Sequence, residues 1–96
     1  MRFRDKRLDQ LETDPKFDGG YSSVIVKAFR KRMQALRAAQ DERVLYALKS
    51  LHFEKLKGAR EHQRSIRLND QWRLILELEE LGSEKVVLVV SIEDYH

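Results

Sequence analysis

Between residues 55 and 78 the chain reads KLKGAREHQRSIRLNDQWRLILEL, and its apolar and polar positions alternate. Trp72, Leu74, Leu76 and Leu78 share one parity, with Arg73, Ile75 and Glu77 between them. Upstream, Ile66 and Leu68 alternate with Ser65 and Arg67. A period of two over such runs predicts two strands, each burying one face. The turn must keep both apolar sets on the same side, because a slip of one residue sends every side chain to the wrong face. A two-residue loop, Asn69-Asp70, sets Leu68 against Gln71 and Ile66 against Arg73. A three-residue loop, Asn69-Asp70-Gln71, sets Leu68 against Trp72, Ile66 against Leu74 and Gln63 against Glu77, which is the consistent register. It also sets Arg67 against Arg73. Like charges directly opposite cost up to about 1 kcal/mol, so an anionic group is expected on that face, and Lys57 in the Lys-Gly turn feeding the hairpin adds a third cation.

Elsewhere the pattern changes period. Phe3 between Arg2 and Arg4 suits a short edge strand, and Asp5 is an N-cap for a short helix through Glu12 with Leu8 and Leu11 inward. Pro15 and the Gly19-Gly20 pair mark residues 13–20 as loop. Ser22 or Ser23 then caps a longer helix to about residue 39: Ile25, Val26, Phe29, Met33 and Leu36 gather on one stripe, with Lys27, Arg30, Lys31, Gln34 and Arg37 opposite as a wet, basic face. Asp41 caps a third helix through about Leu48, with Val44, Leu45 and Leu48 inward, followed by Leu51 and Phe53. Residues 79–85 read as a polar loop, and 86–92 as a final strand apolar on both faces, hence central in the sheet. The expected fold is α+β, a small twisted antiparallel sheet with N-terminal helices packed on one face and the other face, carrying Arg67 and Arg73, partly open.

Composition narrows the chemistry more than the fold. The 96 residues make one domain, 1–96, with 19 Lys and Arg against 16 Asp and Glu, a net charge of +3 that is compatible with a nucleic-acid partner without demanding one. There is no cysteine, which removes disulfides, cysteine zinc sites and thiol nucleophiles. The three His have no metal-ligand spacing, so no metal or other cofactor is expected. The opening MRFRDKRLDQ has no apolar signal region and no run reaches the length of a membrane span, so a cytoplasmic protein with no membrane contact is expected.

Three segments together carry a resemblance: Leu56-Lys57-Gly58-Ala59-Arg60, then Ser65-Ile66-Arg67-Leu68-Asn69-Asp70-Gln71-Trp72-Arg73, then Asp94-Tyr95-His96. In this order and spacing they resemble the HigB branch of the RelE/ParE superfamily of bacterial toxins, also called plasmid maintenance system killer proteins. The resemblance implies a RelE-like fold and the toxin of a type II toxin–antitoxin system. It further implies an endoribonuclease that cuts mRNA in the A site of the 70S ribosome and is held inactive by a helix-turn-helix antitoxin of the HigA type. A relative of the ParE kind, inhibiting DNA gyrase without catalysis, is the alternative. Some relatives carry a His three residues before the lysine of the LKG motif, where this chain has Glu54, and no role passes to His52.

RNA brings its own nucleophile, the ribose 2′-OH, so cleavage needs a base, cations for the phosphate and an acid for the leaving oxygen. The resemblance makes Lys57, Arg73 and His96 the catalytic candidates, Lys57 and Arg73 for phosphate charge and His96, with an ordinary pKa of about 6.5, for proton transfer. Arg67, Asn69, Gln71, Asp94 and Tyr95 are the RNA-binding candidates, Tyr95 by stacking on a base. Trp72 shares parity with Leu74 and Leu76 and belongs to the core.

Overall fold

The apolar stripe of the long helix decides how the chain folds. In the computed structural model, which describes residues 1–82 and 84–94, Ile25, Val26, Phe29, Met33 and Leu36 are all buried in one cluster with Ile66, Leu74, Leu76, Val89 and Ile92 of the sheet and Leu68 of the hairpin connection. The elements in chain order are β1 (Arg2–Phe3), α1 (Lys6–Thr13), α2 (Ser23–Ala38), α3 (Glu42–Ala47), β2 (Glu54–Lys55), β3 (Gln63–Arg67), β4 (Trp72–Leu81) and β5 (Glu84–Asp94). The sheet order is β1-β5-β4-β3-β2. The expected α+β architecture is present, as are the expected caps. Asp5 Oδ1 accepts from the Arg7 amide at 2.9 Å, Ser22 Oγ from Ile25 at 3.3 Å and Asp41 Oδ1 from Arg43 at 2.8 Å.

The sheet differs from expectation in four ways, the first being an additional edge strand, β2, in which Glu54 pairs with Ser65 and Lys55 with Arg64. The sheet is mixed and not wholly antiparallel, because β1 runs parallel to β5, Arg2 beside Leu88 and Phe3 beside Val89. A two-residue strand has no periodicity from which its direction could be read. Residues 79–81 and 84–85, expected in a loop, extend β4 and β5. Glu80 stands opposite Lys85, a cross-strand pair of opposite charge that offsets their poor strand propensity. Lastly, the register shifts between Ile75 and Leu76, which face Ser91 and Val89, so Val90 is the extra residue of a β-bulge. Side-chain parity in β5 inverts there, which is why its apolar run covers both faces while Ile92 and Val89 still reach one core.

Two helical expectations are also corrected. Val44 and Leu48 are exposed, at 39% and 42%, and Leu45 is the buried residue of α3. A helix of 6 residues presents a single narrow stripe, and Leu48, its C-cap, has already left helical geometry. The polar side of α2 is not simply a wet basic face: Arg30 donates to the carbonyls of Leu11, Asp14 and Phe17, and Arg37 pairs with Glu12 at 2.6 Å. Two of its cations therefore tie α2 to α1 and the following loop, while Lys27 and Lys31 remain exposed.

Candidate functional site

The three-residue loop puts the hairpin in the expected register. Gln63 pairs with Glu77, Ser65 with Ile75, Ile66 with Leu74 and Arg67 with Arg73. Asn69 makes the turn: its Oδ1 accepts from the Gln71 amide at 2.9 Å and the Trp72 amide at 2.8 Å, while the Leu68 amide donates to the Trp72 carbonyl at 2.9 Å. Trp72 packs against the core, edge-on to Tyr21 with ring centroids 6.5 Å apart.

Seen from the face away from the helices, the strands form three rungs. The first holds Arg67, Arg73 and Glu93, the second Ser65, Ile75 and Ser91, the third Gln63, Glu77 and Leu88. Acids of the chain itself flank the Arg67–Arg73 opposition: Arg67 pairs with Asp70, and Arg73 stands in register with Glu93. Nor is this face open throughout. Ile75, Ser65 and Leu88 are buried although no helix covers them, because a polar layer lies over the second and third rungs. Arg60 donates from Nε to Gln63 Oε1 at 2.8 Å and from Nη2 to Glu93 Oε2 at 3.0 Å. Gln63 Nε2 donates to Glu77 Oε2 at 2.9 Å, and Arg4 pairs with Glu77 at 3.0 Å. These partners hold two carboxyls below their ordinary range. For Glu77 the Gln63 hydrogen bond is the main cause, with Arg4 adding to it against burial. For Glu93 the main cause is Arg60, supported by Ser91.

Of the candidate residues, Arg67 and Arg73 share the first rung. Asp94 ends β5 opposite Trp72, one position from that rung, and its Oδ2 accepts from Gln71 Nε2 at 3.0 Å. Gln71, Asn69 and Asp94 thus already serve the turn and its link to β5. Lys57 is exposed at the start of a 3-10 turn, Gly58–Arg60, that Gly58 enters at φ +68°; a Cβ there would meet nothing within 4 Å, so backbone conformation and not space calls for glycine. Arg32 of α2 fixes the first rung from the other side, donating to the Arg67 carbonyl at 3.0 Å. Tyr95 and His96 lie outside the described residues. His52 ends another 3-10 turn at φ +46°. Among the described residues no group of three or more His, Asp or Glu is placed to hold a metal ion, and no helix is long and apolar enough to cross a membrane.

Sequence reasoning passed over Arg60 and Glu93. Arg60 ends the Leu56–Arg60 segment, but nothing in its spacing says that a 3-10 turn carries it across three strands. Glu93 follows the apolar run 86–92, and only its register with Arg73 gives it a position.

A family model described as HigB-like toxin, RelE-like toxin of type II toxin-antitoxin system HigB, matches residues 1–96. Toxin HigB-1 of Vibrio cholerae serotype O1 is 36% identical over 77 residues, 80% of this chain and 81% of that protein. A solved YoeB/ParE toxin from Agrobacterium tumefaciens superposes with a TM-score of 0.57 over 100% of both chains at 17% identity, which speaks to the fold.

Proposed function

Because the chain belongs to the HigB-like family of RelE-like toxins of type II toxin–antitoxin systems, we propose that it is a ribosome-dependent endoribonuclease acting in the cytoplasm on mRNA in the A site of the 70S ribosome. Like other type II toxins it has an antitoxin partner; we propose one of the HigA kind, with a helix-turn-helix domain. The observation that carries the cleavage reading is the first rung, with Arg67 and Arg73 side by side at the sheet end where β5 finishes at Asp94. Two adjacent guanidiniums suit a phosphodiester, since each presents paired N–H donors to phosphate oxygens and the charge strengthens as the pentacovalent transition state forms.

In this mechanism Arg73 and Lys57 stabilise the phosphate, with Arg67 beside them, and His96 moves the proton of the 2′-OH or of the leaving 5′-oxygen. Two residues of chain span at most about 7 Å, so the tether from Asp94 to His96 is short. Tyr95 stacks on a base, while Asn69, Gln71 and Asp94 shape the RNA-facing end of the hairpin. Attack by the neighbouring hydroxyl needs no metal-bound water, and its products carry 2′,3′-cyclic or 3′-phosphate ends. The test has two parts. Message ends are mapped after brief induction, and a free oligoribonucleotide is incubated with excess protein and a chelator. Cleavage leaving cyclic or 3′-phosphate ends is expected, and His96→Ala should lower its rate at least about 100-fold with an unchanged melting temperature. Cleavage that stops on chelation, leaves 5′-phosphate ends or persists in His96→Ala overturns the mechanism.

A further inference from the structure

Glu93 is an awkward group for a site that handles a polyanion. It stands in register with Arg73, where a carboxylate repels phosphate and offers the guanidinium a rival acceptor. The chain answers with Arg60, whose Nη2 reaches Glu93 Oε2 at 3.0 Å, the same oxygen that accepts from Ser91 Oγ at 2.8 Å. Arg60 is itself held from the other side: Nε donates to Gln63 Oε1, Gln63 donates to Glu77, and Glu77 pairs with Arg4. The Gly58–Arg60 turn aims the side chain along this line. The network therefore fixes one carboxylate oxygen of Glu93 on partners other than Arg73, and the low carboxyl pKa of Glu93, caused first by Arg60, is the electrostatic counterpart of that geometry.

We propose that Arg60 is a positioning residue that withholds the Glu93 carboxylate from Arg73, and so limits how far Glu93 competes with RNA phosphate for the Arg73 guanidinium. The proposal rests on the ribonuclease reading above and assigns this competition to residues outside the cleavage set. Arg60 and Glu93 act here through Arg73, and neither is given a contact with substrate.

A double-mutant design separates this role from plain scaffolding. Arg60→Met keeps an aliphatic stem over the buried second rung but releases Glu93. Its cleavage rate should fall at least about tenfold, less than the roughly 100- to 1,000-fold typical of deleting a transition-state donor. Adding Glu93→Gln removes the rival and should restore the rate to within about threefold of the unmodified chain. If Arg60 only braces the turn, deleting its second partner repairs nothing, and a double variant no faster than Arg60→Met overturns the proposal, as does an Arg60→Met variant of full activity. Should Arg60→Met fail to fold, Glu93→Gln alone decides, with cleavage expected to be unchanged or a few-fold faster and a tenfold loss overturning the idea. A second readout requires no RNA: carboxyl-carbon resonance titration of Glu93. In Arg60→Met its pKa should stay below the ordinary value because Arg73 takes it over, and in Arg60→Met/Arg73→Met it should rise toward the ordinary carboxyl range. An ordinary value already in Arg60→Met overturns the competition. If the titrations behave as expected while the unmodified chain neither cleaves nor binds RNA, the ribonuclease reading fails and the Arg60–Glu93–Arg73 competition stands.

Discussion

Arg67 and Arg73 stand directly opposite one another across β3 and β4, and each has an acid as its other neighbour, Asp70 for Arg67 and Glu93 for Arg73. The hairpin thus carries a like-charge pair at a cost to the sheet, with an acid on either flank.

Arg73→Ala tests that balance. Removing one member of the pair relieves repulsion worth up to about 1 kcal/mol and loses the attraction to Glu93, so the melting temperature should move by less than about 5 °C. RNA cleavage should fall at least about 100-fold. Thermal melts and cleavage measured on the same preparation give the answer, and full activity, or a collapsed fold, makes the arginine structural.

Asn69 has a different part to play. Its side chain accepts from two backbone amides of the turn, so Asn69→Ala leaves both without that acceptor and should cost about 1–2 kcal/mol, a fall in Tm of roughly 4–15 °C. Asn69→Asp keeps the acceptor and should recover most of the loss. A melt of Asn69→Ala within 1 °C of the parent would mean that the three-residue register is held by the strands alone.

The register of this hairpin was legible because alternation in Ile66, Leu68, Trp72, Leu74 and Leu76 admits one loop length, and a wrong one is penalised at every position. The stripe of α2 was legible for the same reason. What escaped were choices that no period encodes: the direction of the two-residue β1, the bulge at Val90 and the outward turn of Val44 and Leu48 in a helix too short to hold a stripe. At the site, Arg67 and Arg73 could be placed together by counting residues. The roof of Arg60, Gln63 and Glu77 could not, because long side chains choose partners across strands in three dimensions.

That roof predicts an acid limb in stability. Glu77, with only 14% of its side chain exposed, is held below the ordinary carboxyl range chiefly by Gln63 and also by Arg4. A folded-state pKa below the unfolded value of about 4.3 means that the contribution is complete above that value and is lost as pH falls through the folded pKa. Glu93 adds in the same direction. Denaturant melts across the acid range should show stability declining below about pH 4, and Glu77→Gln should be less stable at neutral pH with a shallower decline. A variant whose acid limb runs parallel to that of the parent would deny Glu77 this role.

Arg30 supplies a last prediction, and it concerns the helix layer. The final four carbonyls of α1 have no partner within that helix, and Leu11 is among the residues of its last turn. Arg30 reaches across from α2, donating from Nε to the Leu11 carbonyl at 2.9 Å and from Nη2 to the carbonyls of Asp14 at 2.9 Å and Phe17 at 3.2 Å. One guanidinium thereby finishes α1, shapes the loop that follows and places its charge at the negative end of the helix dipole. Hydrogen bonds from a charged donor contribute about 1.5–3 kcal/mol when half-buried groups would otherwise lack them, and the three share one side chain, so Arg30→Met should destabilise by about 2–3 kcal/mol. For a domain of this size that is a fall in Tm of roughly 10–20 °C. Arg30→Lys should recover less than half, because an ammonium lacks the planar fork that serves separated carbonyls at once. Limited proteolysis should cut Arg30→Met first between residues 13 and 21. RNA cleavage, assayed at a temperature where the variant is folded, should stay within about threefold of the parent, since Arg30 binds the helix layer and not the first rung. Full recovery in Arg30→Lys would mean that charge and not the forked geometry is what α2 provides here, and a melting change below about 3 °C in Arg30→Met would deny Arg30 this role altogether.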